Sequence, residues 1–171
     1  MSLLTRQRII ELFQALNDEL ASRDTIGEVG ICGGAVMCLV FQAREATRDV
    51  DAIFAPTREI RQSALAVAHH QAVPEDWLND AAKLYFHADP PREPVLEFSH
   101  LRVWAPSARY MLAMKCISAR FDSSDLDDVR FLIDYLDVQT PEDVFDIIEQ
   151  YYPHHLIPAK TKFMVEEVLA E

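Results

Sequence analysis

Apolar residues at Ile9, Phe13, Leu16 and Leu20 recur at helical spacing, which predicts an amphipathic first helix over about residues 4–22. The rhythm then changes. Val29 to Cys32 is a short apolar run of strand character, followed by Gly33-Gly34, an apolar helical stretch and a polar connection. A second strand passes through Asp49-Val50-Asp51 to Phe54. Thr57 is placed to cap a helix running through His69 and ending before Pro74. The segment Glu75–Phe86 fits another helix, with Trp77 on its packing face. Asp89-Pro90-Pro91 and Pro94 mark a loop, and Val95–Phe98 and Leu101–Trp104 read as two short strands or a hairpin around Ser99-His100.

From Pro106 onward the pattern is helical throughout. Ser107–Ala119, Ser124–Leu136, a segment opened by Thr140-Pro141 and Ala159–Leu169 each carry the helical period; Thr140 and Pro141 sit in N-cap and N1 style, and Ser124 with Asp127 resembles a capping box. The expected fold class is therefore α+β. A small mixed sheet flanked by helices occupies residues 1–105, and a helical C-terminal region packed on it occupies residues 106–171. No internal repeat or low-complexity segment interrupts this layout.

The stretch from Gly30 to Phe54 carries the chemistry. In a strand, residues two apart share a face, so Asp49 and Asp51 project together while Val50 points to the core. Carboxylates on Cα atoms roughly 6.6–7 Å apart can converge on one divalent cation, and repel each other without it. The alternative is a pair of acids on the solvent face of an edge strand. Gly33-Gly34 lies where a strand turns into a helix, a place for positive φ and for backbone N–H groups that receive a phosphate; a tight turn without ligand accounts for the glycines equally well.

A double glycine, a helix and an Asp-hydrophobic-Asp strand resemble the active-site signature of the DNA polymerase β-like nucleotidyltransferase superfamily. Within it the chain most resembles the minimal bacterial AbiEii-type nucleotidyltransferases, at Gly33, Gly34, Arg44, Thr47, Asp49 and Asp51. A second block, Tyr110–Ile133, resembles their helix with Lys, a following Arg and an Asp-Leu-x-Asp helix, at Lys115, Arg120, Asp125 and Asp128, with Ser124 where such sequences often carry Lys. The resemblance implies transfer of a nucleoside monophosphate from an NTP with release of pyrophosphate. Mg²⁺ or Mn²⁺ would be held by Asp49 and Asp51, and Gly33, Gly34, Thr47 and Arg48 would contact the nucleotide. The implied acceptor is a tRNA end, a protein side chain or a small molecule, and the implied setting includes a toxin–antitoxin pair with a partner protein. A degenerate fold acting as a binding module is the alternative.

Glu97, on a strand after the Asp pair, is the candidate third carboxylate; an outward-facing strand residue is the other reading. Lys115 is the one charged residue between Tyr110 and Ala119, either a lysine reaching the edge of a core helix or a phosphate contact. Asp127 suits helix capping, while Asp125 and Asp128 fit either capping or catalysis. His69-His70 and His154-His155 are sequence neighbours whose side chains diverge on a helix, which makes them surface residues rather than metal ligands.

The net charge of −12 argues against a general nucleic-acid-binding surface, because such affinity rests on Lys and Arg neutralising phosphates. Arg44, Arg48, Arg58 and Arg61 cluster near the candidate site and suit a triphosphate. No apolar run is long enough to span a membrane, the N-terminal segment lacks a signal peptide's apolar block, and Cys32, Cys38 and Cys116 form no CxxC. A cytoplasmic protein with reduced thiols is expected.

Overall fold

The computed structural model describes residues 2–120 and 124–171. The fold is α+β, with seven α-helices among the described residues, a mixed five-stranded sheet and a separate two-stranded ladder. The chain divides into two compact units, Met1–Lys83 with Arg92–Ala105, and Leu84–Pro91 with Pro106–Glu171.

In the first unit, β1 (Leu4–Thr5) leads into α1 (Arg6–Ser22), whose N-cap is Thr5. The Thr5 hydroxyl accepts from the Arg8 N–H at 3.2 Å, a cap worth about 1 kcal/mol. The apolar stripe of α1 is fully buried at Ile9, Leu12, Phe13, Leu16 and Leu20. Next come β2 (Gly27–Ile31), the short α2 (Gly33–Leu39), β3 (Ala46–Thr47), β4 (Val50–Ala55) and α3 (Thr57–Gln71). The unit is completed by β5 (Leu78–Asn79), β6 (Arg92–Glu97) and β7 (Leu101–Pro106).

The large sheet has the order β5-β4-β2-β7-β6. β2 runs antiparallel to β4 and parallel to β7, and β4 runs parallel to β5. Register fixes the faces. Val29 opposes Phe54 and Val103, and Ile31 opposes Ala52, so these apolar residues share one face. Helices α1 and α3 lie on it: a Cβ on Gly27 would meet Leu20 at 2.9 Å and Ile60 at 3.1 Å. The other face carries Asp51 beside Asn79, Ile53 beside Gly30, and Gly30 beside Trp104.

Three small strands escape the hydrophobic pattern. β1 pairs with β3 through Leu4 and Thr47, so the chain enters α1 from a bridge rather than as part of the helix. The segment read as a helix over Glu75–Phe86 is instead β5 followed by a 3₁₀ turn at Ala81–Tyr85. Trp77 decides this. It is buried edge-on against Phe13 with ring centroids 5.9 Å apart, its Nε1 donates to the Ala64 carbonyl at 3.1 Å, and its own carbonyl accepts from Val50 N–H at 2.7 Å. That last bond seeds the parallel pairing of β5 with β4. Burial of one large aromatic, worth on the order of 3 kcal/mol, outweighs the modest helix propensity of the segment.

The second unit contains α4 (Ala108–Ser118), α5 (Asp125–Tyr135), α6 (Pro141–Tyr151) and α7 (Ala159–Ala170). Thr140 caps α6 by accepting from Asp143 N–H, with Pro141 in the first turn as its sequence predicts. Ser124 precedes α5 but its side chain makes no capping bond, so the expected capping box is not formed. α7 is held to α4 by the Thr161 hydroxyl donating to the Cys116 carbonyl at 3.0 Å and by Lys160 Nζ donating to the Ala119 carbonyl at 3.1 Å. Tyr110 sits at the centre of an aromatic group with Tyr151 and Tyr152, its hydroxyl donating to the His87 carbonyl at 2.9 Å. No helix is long and apolar enough to cross a membrane among the described residues.

Candidate functional site

The turn from β2 into α2 is built around Gly33, whose φ of +60° lies in the left-handed region that favours glycine. A Cβ there would lie 3.4 Å from Asp51 Oδ2, an ordinary contact distance, so the carboxylate is a near neighbour of the turn and the positive φ alone calls for glycine. Backbone bonds set this spacing, since Cys32 N–H donates to the Asp51 carbonyl at 3.0 Å and extends the β2–β4 ladder by one rung.

Gly34 is constrained by a different neighbour. A Cβ on it would lie 2.7 Å from the Thr47 hydroxyl and 3.1 Å from Arg44 Nη1. Thr47 is buried in β3, and its hydroxyl donates to the Asp49 carbonyl at 3.3 Å. Thr47 thus touches the glycine turn and holds the backbone that presents Asp49. Gly33, Gly34, Arg44, Thr47, Asp49 and Asp51, predicted from the first block, therefore belong to one neighbourhood.

Asp49 departs from the sequence reading in one respect. β4 begins at Val50, so Asp49 lies just before the strand rather than within it. Its carboxylate accepts from Asn79 Nδ2 at 3.2 Å. Half-burial, and then the negative charges of Asp51 and Asp76, push the Asp49 carboxyl above the usual carboxylate range; Arg48 and the Asn79 hydrogen bond pull the other way. Arg48 is exposed and acts here as a counter-charge to Asp49.

Asn79 and Asp76 are the residues that the sequence pattern missed. Both fall in the stretch read as a helix, where Asn79 is one more polar position. Once β5 pairs with β4, Asn79 stands opposite Asp51 in register while its amide bonds Asp49. The Asn79 side chain is itself fixed, with Nδ2 also donating to the Asp76 carbonyl at 3.4 Å and Oδ1 accepting from Ala81 N–H at 3.1 Å. The available signal was the Asn79-Asp80 pair, both weak helix formers, in mid-segment.

Glu97 is not brought to this site. Phe98 N–H donates to the Leu101 carbonyl at 2.8 Å across the β6–β7 turn, and Glu97 lines a cleft with Glu28, Arg102 and Trp104. Glu28 on β2 lies four positions before Cys32, the residue just past the strand that bonds the Asp51 carbonyl, which separates the Glu28 end from the Asp51 end by about 13 Å along the strands. Two further strands, β2 and β7, lie between β4 and β6. At that end Arg92 pairs with Glu28 and stacks over Trp104 at 4.7 Å.

Lys115, in the second unit, is buried in α4 and committed to two carboxylates of α5, Asp125 at 2.7 Å and Asp128 at 2.8 Å. This arrangement ties α4 to α5. It accounts for Lys115, Asp125 and Asp128 together as a structural ion-pair group, with Asp125 also accepting from Arg120 N–H at 3.4 Å.

Among the described residues no group of three or more His, Cys, Asp or Glu side chains is arranged to hold a metal ion. The Asp49–Asp51 pair nonetheless suits a single hard cation. Mg²⁺ binds through one or two carboxylates and takes its remaining oxygens from water and substrate phosphates. The Asp49 carboxyl, destabilised as an anion by burial and by its neighbours, is a group whose charge a cation would relieve. The free thiols Cys32, Cys38 and Cys116 are all buried. No family model, curated protein or solved structure matches the chain.

Proposed function

We propose that this chain is a metal-dependent nucleotidyltransferase that moves a nucleoside monophosphate from an NTP to a hydroxyl acceptor. The observation that carries the reading is the place of Asp51 beside Gly33: a carboxylate is the near neighbour of a left-handed glycine turn, with a second, charge-stressed carboxylate at Asp49 beside it. Mg²⁺ or Mn²⁺, bound between Asp49 and Asp51, would supply charge neutralisation for the phosphate oxygens. The protein's part is positional. Asn79 and the Thr47 hydroxyl fix Asp49, Gly33 forms the turn beside Asp51, and Arg44 sets positive charge beside Gly34. In-line attack by the acceptor hydroxyl on the α-phosphorus forms the new P–O bond, the bond to the leaving pyrophosphate breaks, and the hydroxyl proton is lost to solvent.

A second reading is favoured by two observations, the place of Glu97 on β6, with β2 and β7 between it and β4, and the lack of a group of three His, Cys, Asp or Glu side chains arranged for a metal among the described residues. On that reading the fold binds nucleotide with a single cation and acts as a degenerate binding module, for instance as one half of a toxin–antitoxin pair. Incubation with α-labelled NTPs, Mg²⁺ and tRNA, protein or aminoglycoside acceptors separates the two. Transfer that Asp51→Asn abolishes supports the enzyme. Cation-dependent binding without transfer to any acceptor class supports the module.

A further inference from the structure

The strand beside the Asp pair contributes an amide where a carboxylate would build a second cation seat. β5 pairs with β4 so that Asn79 stands opposite Asp51, at the edge of the sheet. Its side chain is committed at both ends. Nδ2 donates to Asp49 Oδ2 at 3.2 Å and to the Asp76 carbonyl at 3.4 Å, and Oδ1 accepts from the Ala81 N–H at 3.1 Å. The amide thus presents N–H donors to Asp49 and uses its one acceptor oxygen on the backbone beyond β5. The next residue is engaged as well, since Asp80 pairs with Arg61 of α3 at 2.5 Å. Asp76 is felt at Asp49 as a charge, yet no group of three acidic, His or Cys side chains is arranged for a metal among the described residues.

We propose that Asn79 is a positioning residue that makes the Asp pair a one-cation site, holding one oxygen of Asp49 and leaving the other to the metal. Mg²⁺ and Mn²⁺ take oxygen ligands and gain nothing from an N–H donor. Two cations about 3.5–4 Å apart need further anionic oxygens around them. The Asn79 amide therefore closes the β5 side of the pair to a second cation while it fixes Asp49 for the first. A carboxylate at the same place would do the opposite, because it is an acceptor at both oxygens. The inference rests on the reading that Asp49 and Asp51 hold a divalent cation; it does not need that cation to serve nucleotide transfer. Asn79 also closes an Asx turn onto Ala81, and a purely local role of that kind would leave the number of bound cations untouched.

The test is a Mn²⁺ titration of the full chain without nucleotide, with bound metal counted by electron paramagnetic resonance. One Mn²⁺ per chain is expected for wild type, and two for Asn79→Asp, with the spin-exchange signature of neighbouring ions. Asn79→Asp keeps an oxygen for Ala81 but loses the donor to Asp49, so its fold is checked by circular dichroism. Asn79→Ala, which adds no charge, should still bind one Mn²⁺ but about fivefold more weakly, the effect of losing one hydrogen bond; it carries the test if Asn79→Asp does not fold. No Mn²⁺ or two Mn²⁺ in wild type, one in a folded Asn79→Asp, or undiminished affinity in Asn79→Ala overturns the proposal. One Mn²⁺ in wild type and two in Asn79→Asp, in a chain that binds no ATP with the metal, keeps the role of Asn79 and rejects the nucleotidyltransferase reading. Two Mn²⁺ in a wild-type chain that transfers nucleotide does the reverse.

Discussion

At Asp49, burial and the charges of Asp51 and Asp76 oppose ionisation, while Arg48 and Asn79 favour it, and the first set prevails. The folded protein therefore holds a proton on Asp49 to higher pH than the unfolded chain does. Between the two titration ranges the native state binds more protons, so this group makes stability fall as pH rises. Below the ordinary carboxylate range both states are protonated and the penalty disappears. Asp49→Asn keeps an oxygen to accept from Asn79 and removes the charge; urea unfolding should show a small gain in stability at pH 7 and none at about pH 3. A loss of stability at pH 7 would mean that the Asp49 charge is a structural partner and not a strained one. Lys115 behaves in the opposite way. Lys115→Ala removes the cation that Asp125 and Asp128 share, and should cost about 3–5 kcal/mol in the same assay, as expected for breaking a buried pair. A folded, equally stable Lys115→Ala would return Lys115 to the list of catalytic candidates. The Gly33-Gly34 pair and the two aspartates were legible in the sequence because their spacing is local. The partners of Lys115 were visible only as neighbouring residue types, because helical packing brings α5 onto α4.

Elements with long apolar periodicity were the readable ones. α1 and α3 to α7, together with β2, β4, β6 and β7, all carry enough pattern for a period to register. β1, β3 and β5 span two residues each and exist because a neighbouring strand accepts them, so no local period announces them. The cost of that blindness was the site's third element: with Glu75–Phe86 read as helix, neither Asn79 nor Asp76 was available to stand beside Asp49. Two glycine substitutions test how tightly the elements are set. Gly30→Ala would place a Cβ 2.2 Å from the Trp104 ring, an overlap that only a backbone or ring shift can relieve, and should cost about 1–3 kcal/mol or more in thermal or urea unfolding. Gly34→Ala meets the Thr47 hydroxyl and Arg44 instead, so it should weaken nucleotide binding while lowering stability less than Gly30→Ala does. A Gly34→Ala protein that binds Mg-ATP as the wild type does would detach the α2 turn from the nucleotide.

For the whole molecule, a net charge of −12 and a carboxylate pair at the site both repel a bare triphosphate. Nucleotide affinity should therefore depend on a divalent cation, and calorimetry with ATP, GTP, CTP and UTP should show binding in Mg²⁺ that EDTA abolishes. The fold class was legible at this scale, since the change from mixed periodicity to continuous helix near Pro106 is a property of the whole sequence. The position of Glu97 was not, because strand order and register decide which acids meet, and neither is written in local pattern. The central claim is that a cation and a nucleotide meet between the α2 turn and the Asp pair. Mn²⁺ added with ATP to isotope-labelled protein tests it most directly, through paramagnetic broadening of assigned amide signals. The account predicts selective loss of the signals of Gly33, Gly34, Asp49, Val50, Asp51 and Asn79, and their retention in Asp51→Asn. Broadening centred elsewhere, or identical in wild type and Asp51→Asn, would contradict it.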